Sequence, residues 1–139
     1  MSMGQALLAI GAITLFMYTA VNVNRTYVAA SAESVAQQRN LDMINYAQSL
    51  SEFVYAQGQR YDNLDVIFAN SGDINDPTKH HTYVTTIRDT LFATIQLSAE
   101  QNMIHGSRGR TATIRIYTSA GAIKQQRMET IAVIVNPED

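Results

Sequence analysis

No Lys, Arg, Asp, Glu or His lies between Met1 and Asn24, whereas charged residues recur through the rest of the 139-residue chain. Within that gap, Ala6 to Val23 reads ALLAIGAITLFMYTAVNV. As a helix rising about 1.5 Å per residue, this stretch spans roughly 27 Å, the thickness of bilayer hydrocarbon. Only Thr14, Thr19 and Asn22 interrupt it with polar groups, and Gly11 is its one poor helix former. A cleaved secretory signal would need a basic start and a small-x-small cleavage site. Neither is evident, so the segment reads as a retained apolar helix.

Nothing in the sequence ends that helix early. No Pro occurs before Pro77 and no Gly between Gly11 and Gly58, so the backbone is free to stay helical from about Gln5 to about Ala56. The second half is amphipathic. Ala32, Ala36, Met43, Ala47, Leu50 and Val54 recur at three- and four-residue steps, with Tyr46 and Phe53 beside them, which predicts one packed stripe. The polar run Gln37, Gln38, Arg39, Asn40 weakens the stripe in its middle.

Gly58 and the cluster Asn70, Ser71, Gly72, Asp73, Asn75, Asp76, Pro77 predict a loop over 58–80, with a short helical turn near Leu64 to Phe68. Alternation follows. Leu91, Ala93, Ile95 and Leu97 form one face of a strand, and Ala112, Ile114 and Ile116 one face of a second. Ser119 to Gly121 reads as a hairpin turn, and RMETIAVIV, ending at Val135, as a third strand. Thr82 to Asp89 fits either an extension of the first strand or a short helix. The expected fold is α+β: a long N-terminal helix packed by its second half on an antiparallel sheet of about three strands. The expected organisation is an apolar helix over 1–30 and a globular head over 31–139.

Composition narrows the function. The chain is one small domain in length, and 10 Lys+Arg against 12 Asp+Glu provide no basic field for nucleic acid. The absence of Cys removes disulfides and thiolate chemistry together. No G-x-S-x-G elbow, phosphate-binding glycine loop or paired buried carboxylates suggest catalysis, and no cofactor is expected. His80, His81 and His105 with Asp73 and Asp76 are the richest set of metal-ligand types, but they lack HxxxH or HExxH spacing, so they read as surface residues and no metal site is assigned. The Asp73–Asp76 fragment reads as an ordinary turn and Arg108-Gly109-Arg110 as a solvated hairpin loop. The tyrosines beyond the apolar segment, Tyr27, Tyr46, Tyr55, Tyr61, Tyr83 and Tyr117, read as packing groups. Asn24-Arg25-Thr26 fits a glycosylation acceptor.

The layout of a small β head on a long helix with an apolar first half, led by Gly4-Gln5-Ala6-Leu7-Leu8, resembles type IV pilin-like subunits, including archaeal pilins. The resemblance implies processing between Gly4 and Gln5, a membrane-inserted stage, a pilus assembly machinery as partner, and a helical homopolymer at the cell surface. In that expectation Leu7, Leu8, Ile10, Ile13, Leu15, Phe16 and Val21 form the assembly helix. The alternative is a single-span membrane protein that does not polymerise, with an extracytoplasmic binding head, or a minor pseudopilin of a secretion apparatus. Arg25 and Arg39 after the apolar segment, with no positive charge before it, speak mildly against an outside head.

Overall fold

The structure, a computed structural model, describes residues 2–137. It divides into two compact units, Met1–Gln38 and Arg39–Asp139, with the division inside the polar run that interrupts the helical stripe. Helix α1 covers Met3–Ala56. A 3-10 segment, Gln57–Asn63, then follows, with Arg60 off helical geometry, and leads to the single-turn helix α2, Leu64–Ile67. The helical length and the short turn near Leu64 follow the sequence pattern closely.

The sheet departs from the three strands expected. It has five, all antiparallel: β1 His81–Val84, β2 Thr90–Leu97, β3 Gln101–Asn102, β4 Arg108–Ala120 and β5 Ile123–Val135. β4 is the centre. It pairs with β2 from Ala112 to Thr118, with β3 at Arg108 and Gly109, and with β5 along most of its length. The segment Thr82 to Asp89 is neither a helix nor part of β2. It supplies β1 and then turns back, closed by the Thr85 N–H donating to the Asp89 carbonyl (2.7 Å) and the Asp89 N–H donating to the Thr85 hydroxyl (3.0 Å). Two to four residues carry too short an alternation to be distinguished as strands in advance, which is why β1 and β3 escaped the pattern.

The core of the second unit is the expected one. From α1 it takes Met43, Ala47, Leu50 and Val54, at steps of four, three and four residues. These meet Tyr61, Leu64 and Phe68 and the inward rows Leu91, Ala93, Ile95 of β2, Ala112, Ile114, Ile116 of β4 and Ala132, Ile134 of β5. The stripe starts later than expected, because Ala32 and Ala36 are exposed. Phe53 stays at the rim, edge-on to Phe68 with ring centroids 5.9 Å apart. Tyr46 stacks on Tyr83 at 5.0 Å, and burial pushes its phenol up to about 12.

A second correction concerns Arg108-Gly109-Arg110, which opens β4 and is not a solvated hairpin loop. Gly109 is buried so closely that a Cβ there would lie 2.6 Å from the Ile134 carbonyl oxygen. Arg110 keeps only 14% of its side chain exposed, donating to Asp65 Oδ1 and to the Ser98 carbonyl, each at 2.8 Å. That guanidinium holds the Asp65 carboxyl below its usual range. The β4–β5 turn carries Gly121 at φ +68°, where the missing side chain makes a left-handed turn cheap.

Candidate assembly surface

The first turn of α1 is closed by a capping box. The Gln5 N–H donates to the Ser2 hydroxyl and the Ser2 N–H donates to Gln5 Oε1, each at 3.2 Å. Ser-x-x-Gln with this reciprocal pairing satisfies two backbone donors that a helix start otherwise leaves open. Sequence reading passed over this signal, although Ser2 and Gln5 stand at the required spacing. The Gly4–Gln5 bond therefore lies inside a capped helical turn, and a cut there would remove Ser2 and both bonds.

Beyond the cap, α1 is apolar on every side as far as Val23. At about 100° per residue, Leu7, Leu15, Phe16 and Ile13 project at roughly 0°, 80°, 180° and 240° around the axis. Of the expected assembly residues, Leu7, Leu8, Ile10, Ile13, Leu15, Phe16 and Val21 expose between 50% (Val21) and 77% (Leu8) of their surface. Met17, Tyr18, Val23, Tyr27 and Val28 are equally open, the last two extending the surface past Val23. An aliphatic run with Phe16 does not single them out in the sequence, whereas their exposure on the helix does. The segment is a helix long and apolar enough to cross a membrane, and none of its most apolar window is buried.

The threonine interruptions are neutralised within the helix itself. The Thr14 hydroxyl donates to the Ile10 carbonyl at 2.9 Å, Thr19 to Leu15 at 2.9 Å and Thr26 to Asn22 at 3.0 Å. Each bond spends the hydroxyl proton on a carbonyl four residues back. Gly11 meets nothing that a Cβ would touch, so no contact within the chain requires it. Asn24, the glycosylation candidate, sits in the regular helix with the Thr26 hydroxyl already engaged.

The histidines and loop acids do not converge. His81 Nε2 lies 3.1 Å from the Ser71 hydroxyl, and burial with His80 alongside pulls its pKa down. His80 stands edge-on to Phe92. His105 is exposed in the β3–β4 connection at φ +67°. Asp73 and Asp76 cap their own turns, accepting from the Asn75 and Thr78 N–H groups at 2.9 Å each. The two bonds from Thr78 hold the Asp76 carboxyl below its usual range. No group of three His, Cys, Asp or Glu side chains able to hold a metal occurs among the described residues. No protein family, curated protein or solved structure matches the chain.

Proposed function

We propose that this protein is the structural subunit of a pilus-like filament at the cell surface, polymerising through the first half of α1. The observation that carries the reading is an uncharged helical surface, apolar all round, whose threonine hydroxyls are bonded internally. Such a surface is unfavourable in water and has no cover within its own unit. Burying half the apolar area of eight such side chains contributes on the order of 10 kcal/mol per subunit before association entropy. Parallel copies stacked with a constant offset make a heterologous contact that does not close, so the product is a helical polymer. Before assembly the same segment resides in the membrane, and processing after Gly4 and delivery by an assembly machinery belong to this reading.

The second reading keeps the helix in lipid permanently, as the anchor of a head that binds elsewhere or serves a secretion apparatus. Its support is the span-length apolar segment itself. Negative-stain microscopy of material sheared from cells separates the two. Filaments that contain this chain and vanish with Ile13→Asp support the polymer. A monodisperse particle released only by detergent, with no polymer recovered, overturns it in favour of the anchor.

A further inference from the structure

We propose that the second unit carries a binding site for a phosphate dianion, in an open cleft of ≈ 300 Å³ lined by Arg39, Arg88, Asp89, Thr118 and Arg127, with Phe92 as its apolar wall. Three guanidiniums face one carboxylate in a chain whose net charge is -2, so the cleft runs against the charge of the molecule. Asp89 is already committed. It accepts from Arg39 through both Nε (2.7 Å) and Nη2 (2.5 Å), which neutralises and orients that side chain. Asp42, buried one turn along α1 from Arg39, takes the Thr86 hydroxyl at 3.3 Å. Arg88 and Arg127 therefore keep their charge without a carboxylate partner among the described residues. Two uncompensated guanidiniums match a phosphate group, which carries about two negative charges near neutral pH and accepts in the fork geometry that arginine offers.

The backbone is irregular at both positions. Arg88 sits at φ +62°, a left-handed conformation that glycine or asparagine adopts at lower cost, at the apex of the turn closed by Thr85. Arg127 is the extra residue of a β-bulge. Ile116 pairs with Met128 and Tyr117 with Gln126, so Arg127 is skipped in the ladder and its side chain is re-aimed. The Arg127 Nε donates to the Thr118 hydroxyl at 3.0 Å, fixing the guanidinium while the buried hydroxyl retains its own proton to donate. Lys124, with its Nζ 4.9 Å from the Phe92 ring centre, adds a further positive charge behind the wall. The β1–β2 turn and the β5 bulge are far apart in sequence, yet each delivers to one cleft an arginine with no carboxylate partner among the described residues.

The site stands apart from the filament reading, so it is tested on the full chain as a maltoside-solubilised monomer. Inorganic phosphate is titrated at constant ionic strength near pH 7.5, and the arginine Nε–Hε resonances are followed by NMR, with acetate as the monovalent control. The expected result is a saturable shift of Arg88 and Arg127 with phosphate, several times larger than with acetate. Arg127→Gln weakens binding about tenfold, as expected for loss of a charged hydrogen-bond donor. Arg88→Gly weakens it while raising the melting temperature, because it removes the left-handed arginine. Arg60→Gln, outside the cleft, leaves affinity unchanged. A linear shift that acetate matches, or phosphate affinity unaltered in both Arg88→Gly and Arg127→Gln, overturns the site.

Discussion

Ile13 and Ile114 are the same side chain in opposite circumstances: Ile13 exposes 60% of its surface and Ile114 none. The difference is in what the rest of the chain offers each. Ile114 lies on a strand whose inward row faces the α1 stripe and the rows of β2 and β5, so its methyl groups meet the chain's own residues. Around Ile13 the helix is apolar in all directions, and a helix cannot cover itself. Helix formation and apolar burial are thus separate achievements. The second unit completes both with its own residues, and the first completes only one.

The sharpest way to break this contrast is to charge the exposed side. Ile13→Asp should abolish assembly seen by microscopy while leaving the melting of the second unit within about 0.5 kcal/mol of the parent, as for surface changes remote from packing. A large loss of head stability would show that the two isoleucines are not so different after all. Ile114→Ala should do the reverse, lowering stability by about 2–5 kcal/mol in denaturant unfolding through lost burial and a residual cavity. Thr94 sharpens the inside of the comparison. It is 1% exposed and its hydroxyl has no partner among the described residues, unlike the threonines of the apolar segment. Thr94→Val should therefore raise stability by about 1 kcal/mol, since it replaces an unsatisfied buried hydroxyl with a methyl group.

The smallest effect concerns pH. His81 has its pKa lowered from 6.5 by burial, so the unfolded chain takes up a proton before the folded one does. Its contribution is complete above pH 6.5 and is lost as pH falls below that value toward the lower folded pKa. Melting temperatures measured through mildly acidic pH should fall in the parent and fall less in His81→Asn. Asp65 and Asp76, lowered from 3.8 by Arg110 and Thr78, act in the same direction but only in stronger acid, so the windows are separable.

The long elements were legible in the sequence because their periodicity was sustained. Gln5 to Ala56 lacked a breaker, and the inward rows of β2 and β4 alternated cleanly. The short strands were not, since His81–Val84 and Gln101–Asn102 owe their state to a neighbouring edge and not to their own pattern. Arg108-Gly109-Arg110 misled because glycine between two arginines resembles a loop, whereas its glycine admits the Ile134 backbone and Arg110 reaches Asp65 across 45 residues. Of the candidate surface, the aliphatic membership was plain from composition. The fate of Thr14, Thr19 and Thr26 was not, because a hydroxyl's choice between solvent and a carbonyl is settled only in three dimensions. The cleft arginines were dispersed at positions 39, 88 and 127, with no motif to join them.

With its threonines bonded inward, the apolar rod keeps few polar keys along its length, the Tyr18 hydroxyl and the Asn22 amide. In the proposed filament, copies meeting along such a rod gain contact area almost equally at many axial offsets, as greased cylinders slide with few notches. In that reading their stagger is set by shape, at steps such as the bare Gly11 beside Ile10 and Ile13, by the sparse polar groups of Tyr18 and Asn22, or by the charged surfaces beyond Asn24.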